Sequence, residues 1–218
     1  MGAWPRGDGR GGSCTAHARN VGAAAAPDAY QRSDDRRAPY NLYASATDLW
    51  AAAERTDEDA GPPPALFTYG DGTGAGEAVG GFDTAGSPGL ATDIRWDWDE
   101  GAGAWARTQD GTDHVDDDGT QVTAANVVVR FTPYGDSGVR DSAGGVVPEA
   151  VSVGEGDAWL LRDGRLQRGR WAKAAPEGPT AYTDASGAPL EFAPGRTWVE
   201  VLAPGTGQPL AATSEAEG

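Results

Sequence analysis

The chain has 218 residues, with 17 Lys+Arg against 33 Asp+Glu, a net charge of −16 and a pI near 4.3. That length holds one full domain and part of another, and that charge repels phosphate backbones and anionic headgroups, so nucleic acid is not an expected partner. No run of 18 apolar residues is present to span a membrane, and a single cysteine, Cys14, excludes an internal disulfide and a four-cysteine metal site.

Residues 1–29 are Gly, Ala and Arg without periodicity, and they read as a disordered leader or a misplaced start. They lack the apolar core of a signal peptide, and no apolar segment precedes Cys14 as lipidation would require. A short helix is predicted at 45–55, with Ser45 as cap, Asp48 three residues on, and Leu49, Trp50 and Ala53 as its apolar stripe. Pro62-Pro63-Pro64 ends this part as a stiff spacer.

From Leu66 the period changes to two. Ile94, Trp96 and Trp98 alternate with Arg95, Asp97 and Asp99, and Val127, Val129 and Phe131 alternate with Val128, Arg130 and Thr132. Trp159 and Leu161 share one face, and Trp198 and Leu202 share another, which makes Trp159 and Trp198 expected core residues. Asp110-Gly111, Asp118-Gly119, Asp163-Gly164 and Ser186-Gly187 supply the positive φ values of tight hairpin turns. The polar stretch 135–145 reads as an exposed hairpin loop, and residues 204–218 as a mobile tail. The expected fold is mainly β, an antiparallel curled sheet or small barrel over 66–203, with one short helix before it.

Five runs, in order and spacing, carry a resemblance. They are Arg37-Ala38-Pro39-Tyr40-Asn41-Leu42-Tyr43, Asp113-His114-Val115-Asp116, Asn126-Val127-Val128-Val129, Gly169-Arg170-Trp171-Ala172-Lys173 and the closing run Leu190 to Val201. Together they resemble the YerB-like family of bacterial envelope lipoproteins, over roughly Tyr30 to Ala203. The resemblance implies an α/β domain followed by a β-rich C-terminal domain, behind a lipoprotein signal. On that reading residues 30–65 are the end of the first domain and 66–203 the whole second one. Tyr40 stands where the family usually has histidine, so any chemistry of that histidine is replaced by a group neutral near pH 7. The resemblance implies an extracytoplasmic address and no particular reaction.

Few residues invite chemistry. His114 and Asp116, two apart on an extended segment, share a face and suit a general base with its orienting carboxylate, with Asn126 as a third polar group. The plainer alternative is that His114 hydrogen-bonds a neighbouring loop. No serine or cysteine sits in a nucleophile motif, and Gly135-Asp136-Ser137-Gly138 has the wrong spacing for an elbow. Asp113, Asp116, Asp117 and Asp118 lack the spacing of a calcium loop, so no metal and no cofactor is expected. The densest positive patch is Arg168, Arg170 and Lys173 around Trp171, the expected site for an anionic or carbohydrate group, with Trp171 at an exposed strand end. The leading expectation is a non-enzymatic envelope binding or assembly module, with a cell-wall polymer or another envelope protein as partner. A hydrolase or lyase using His114 and Asp116 is the rival, and a truncated product without a role of its own is the third reading.

Overall fold

The structure, a computed structural model, describes residues 22–38, 40–56, 65–71, 75–85, 92–141, 143–176 and 178–212. Cys14, the leader through residue 21, the Pro62–Pro64 spacer and residues 213–218 lie outside the described residues. The chain divides into two compact units, Met1–Pro64 and Ala65–Gly218.

In the first unit, a 3-10 turn at Pro27–Ala29 precedes β1 (Gln31–Arg32), which pairs antiparallel with β2 (Leu42–Tyr43), and α1 (Ala46–Thr56) follows. Ser45 caps the helix: its Oγ accepts the Asp48 N–H at 3.0 Å and donates to Asp48 Oδ2 at 2.6 Å. Ala52 packs against Ala26 and Ala29, with Leu49 and Tyr30 beside them, so residues 26–29 are packed rather than part of a disordered leader. Trp50 points outward, 63% exposed, and its Nε1 donates to Glu54 one turn on. The buried stripe is therefore Leu49–Ala52, and Tyr40, in the turn between β1 and β2, is exposed.

The second unit is built from β3 (Thr68–Tyr69), β4 (Glu77–Asp83), β5 (Ile94–Asp99), β6 (Ala104–Gln109), β7 (Thr112–Asp113), β8 (Thr123–Ala124) and β9 (Asn126–Phe131). It continues with β10 (Tyr134–Arg140), β11 (Val146–Ala150), β12 (Gly154–Arg162), β13 (Arg165–Lys173), β14 (Ala181–Thr183), β15 (Glu191–Phe192), β16 (Thr197–Leu202) and β17 (Gln208–Ala211). One curled sheet runs β16-β9-β12-β13-β4-β5-β6-β7, with β14 beside β13, β17 beside β4 and β8 beside β6. The mainly β, curled-sheet architecture is the one expected. Asp163 and Gly164 take φ values of 49° and 68° between the paired Arg162 and Arg165, the left-handed pair that a two-residue hairpin demands.

The centre of the sheet is buried on both faces, which is why Val127-Val128-Val129 and Leu160-Leu161 are continuous apolar runs. Val127, Val129, Phe131, Leu161 and Leu166 line one core with Phe82, Trp96 and Trp105. Val128, Ala158, Leu160 and Trp171 face the other way, against Tyr182, Leu190 and Phe192. Trp159 and Trp198 are half-buried at the margin of the first core, while Trp96, Trp105 and Trp171 are the fully enclosed indoles. Gly156 makes room for one of them, since a Cβ there would sit 2.6 Å from Trp171 Nε1.

Two expectations change here. Residues 204–212 are not a free tail: β17 pairs antiparallel with β4 after a turn held by Thr206 Oγ1 donating to Ala203 O. The stretch 135–145 is not all loop: it holds β10 and the closing turn of an exposed two-stranded arm, β10 against β11, in which Gly144 N–H reaches Asp141 O.

Candidate functional site

Strand alternation places Arg107 in phase with Trp105 on β6, and Glu200 in phase with Trp198 and Leu202 on β16. Both charges therefore point into the first core, from strands near opposite ends of the curled sheet. They meet there. Arg107 Nε donates to Glu200 Oε1 at 3.1 Å, with the two side chains only 6% and 9% exposed. Trp96 Nε1 donates to the same oxygen at 3.0 Å. Arg107 Nη1 also donates to Gln109 Oε1 at 3.0 Å and to His114 Nδ1 at 2.8 Å. A guanidinium has no acceptor, so His114 Nδ1 accepts and the neutral ring carries its proton on Nε2. The guanidinium carbon lies 5.2 Å from the Trp198 ring centre, and the His114 ring meets the Trp198 ring edge-on at 6.0 Å.

The three catalytic candidates are not assembled. His114 bonds Arg107 and not Asp116. Asp116 Oδ1 accepts the backbone N–H groups of Asp118 and Thr120, tying its own turn, with an oxygen of Asp118 helping at 2.8 Å from Thr120 N. The Asp118 carboxyl is held below the ordinary aspartate range, first by the Thr120 side chain, then by the Asp116 side chain and the Thr120 backbone N–H. Asn126 is wholly buried and imitates a backbone partner: its Nδ2 donates to Ala193 O and its Oδ1 accepts the Ala193 N–H, both at 2.8 Å. Among the described residues no group of three or more His, Cys, Asp or Glu is placed to hold a metal.

The expected basic site also comes apart. Trp171 is not a strand-end residue: it pairs with Gly156 on one side and Tyr182 on the other, is 1% exposed, and donates its Nε1 proton to Phe131 O at 2.7 Å. The Arg130 guanidinium covers its ring at 4.1 Å, so no face is left for a sugar. Alternation sends Arg168 and Arg170 to the opposite face of β13 from Trp171 and Lys173. Arg168 pairs with Glu77, and Arg170 with Glu155 and Asp157, so the charge of these two arginines is matched by carboxylates.

The described residues of this unit also form concave surfaces. One, of about 520 Å³, is lined by Gly76, Glu77, Gln167, Arg168, Asp184 and Ser186. Another, of about 270 Å³, is an apolar groove over Phe67, Tyr182, Leu190 and Phe192. Burial there pushes the Tyr182 phenol above its ordinary range, with the Arg130 charge opposing in part.

The sheet itself offers a further surface. β16 is its last strand, parallel to β9. Asn126 N–H donates to Arg196 O and Thr132 N–H to Leu202 O, which brackets the ladder and assigns the even-numbered residues of β16 to β9. The backbone groups of Thr197, Val199 and Val201 therefore point outward. Among the described residues the bond made to them is Tyr134 Oη donating to Val201 O at 2.8 Å. Val199 is 41% exposed.

A model of the family described as "Protein of unknown function (DUF3048) C-terminal domain" matches residues 88–199. The chain belongs to this family. Of the buried cluster around Arg107, Trp96, Arg107, Gln109, His114 and Trp198 lie within the matched residues, and Glu200 follows them by one position. A search of curated proteins finds no match. Among solved structures, the crystal structure of YerB protein from Bacillus subtilis is similar, with a TM-score of 0.63 at 19% identity, covering 80% of this chain and 56% of that one. The chain thus spans just over half the length of that relative, and the likeness is one of fold.

Arg107 and Glu200 escaped the sequence reading although a signal was present. Each is a charge on the apolar phase of its strand, and two opposite charges so placed are an expected buried pair. Gly156, opposite Trp171, is the corresponding signal for that indole's burial.

Proposed function

We propose that this domain is a non-enzymatic binding or assembly module of the bacterial cell envelope, acting outside the cytoplasm on a cell-wall polymer or another envelope protein. The address is carried over from the resemblance to envelope lipoproteins. The observation that supports binding is the open edge of β16: six consecutive residues, Thr197 to Leu202, pair with β9, while on the other side the bond made among the described residues is that of Tyr134 to Val201 O. The observation that weighs against hydrolysis is that His114, Asp116 and Asn126 are each committed to a different structural bond.

The test is incubation of the full chain with purified sacculi and with detergent-washed envelope membranes. Retention of the chain on either material, without release of soluble wall fragments, is the expected result. Release of fragments by the parent, abolished in His114→Ala, would instead establish the hydrolase or lyase.

A further inference from the structure

The binding role proposed above acquires a specific partner when the edge of β16 is considered with the hairpin of residues 112–122, in which Val115 bridges to Gln121, beside it. We infer that β16 accepts an extended, basic segment of a partner protein as an added strand. The backbone supplies the attachment: Thr197 presents an outward N–H and C=O, Val199 the same, and Val201 an N–H, its carbonyl being taken by Tyr134. Edge strands in isolated domains are usually blocked by an outward charge, a proline or a bulge. The outward positions here are Thr197, Val199 and Val201, β-branched and uncharged, in a strand without a register shift. Such residues favour an extended neighbour.

The hairpin supplies the sign of the partner. Its His114 ring rests on Trp198 of β16, and it carries Asp113, Asp116, Asp117 and Asp118, all exposed. None of the four is ion-paired within the described residues; Asp113 accepts from Gln121, and Asp116 and Asp118 accept from backbone. Arg196, whose Nη1 donates to Thr123 O, offsets one of these charges, and Arg107 is already neutralised by Glu200. The field at the edge is therefore negative. A second copy of this chain, itself at −16, would bring two acidic hairpins to the same seam, so a basic segment fits and self-pairing does not.

The probe is an acetylated, amidated eight-residue peptide of alternating Lys and Thr, beside a counterpart with Glu for every Lys. Amide hydrogen exchange is followed on the full chain by NMR. The Lys peptide is expected to slow exchange at Thr197, Val199 and Val201 by about tenfold or more, and the Glu peptide to leave them unchanged. Val199→Pro removes an outward N–H that β9 does not use, and should weaken Lys-peptide binding about tenfold or more while the fold survives. Should that variant not fold, exchange in the parent alone decides. Unchanged exchange with the Lys peptide, or equal effects of both peptides, overturns the inference. So does a parent that sediments as a dimer with these three amides already protected, which would name a second copy as occupant. Retention on envelope material with no response to either peptide would leave the binding role standing and remove this edge as its site.

Discussion

Arginines occupy two very different settings in this domain. Arg107 lies in the seam, enclosed by Trp96 and Trp198 and bonded to Glu200, His114 and Gln109. Arg168 and Arg170 lie on the other face of β13 from Trp171, more than half exposed, the first bonded to Glu77 and the second to Glu155 and Asp157, carboxylates that are themselves exposed. The sequence shows the second set as a cluster and hides the first, because proximity along the chain is visible and proximity across a curled sheet is not. The contrast teaches that charge density in sequence marks solvated surface, whereas a lone charge on an apolar strand phase marks a tie in the core.

Substitutions in the two settings should differ accordingly. Trp171→Ala should have the largest effect, lowering stability in urea unfolding by about 3–5 kcal/mol, because the indole is fully enclosed and its loss strands Phe131 O. A near-neutral result would return Trp171 to the surface. Glu200→Ala should cost about 3 kcal/mol, since it leaves the Arg107 charge buried without its counter-ion. Replacement of both partners by methionine should recover most of that loss, which a double-mutant cycle would register. Arg168→Ala and Arg170→Ala should each change stability by less than about 1 kcal/mol, as exposed pairs do, and high salt should shrink even that difference.

The smallest expected effect is on pH dependence. Burial raises the Tyr182 phenol above its unfolded value, so the folded state keeps a proton that the unfolded state releases as pH rises through the ordinary phenol range. Stability should therefore fall with rising pH in that window, and Tyr182→Phe should flatten the fall. An identical alkaline profile in the parent and the variant would show that Tyr182 is not desolvated.

Much of the fold could be read from the residues. Alternation in Ile94–Asp99, the Asp110-Gly111 and Asp163-Gly164 turns and the Ser45 cap are local rules, and each appears in the structure where it was expected. What could not be read depends on partners far along the chain. Among Arg168, Arg170 and Lys173 in the sequence Trp171 reads as a surface residue, yet its burial is set by Phe131 and Gly156. The role of His114 is set by Arg107 and Trp198, seven and 84 positions away, and not by Asp116, its near neighbour. β17 was missed because its pairing with β4 spans more than a hundred residues and its own sequence, Gln208-Pro209-Leu210-Ala211, shows only a weak pattern.

The most direct test of the account is amide hydrogen exchange along β16 in the free protein. The parallel ladder to β9 and the open outer edge together predict alternation: slow exchange at Trp198, Glu200 and Leu202, and fast exchange at Thr197, Val199 and Val201. Uniform slow exchange over all six residues in a monomer would mean the edge is covered within the chain, and would contradict the account.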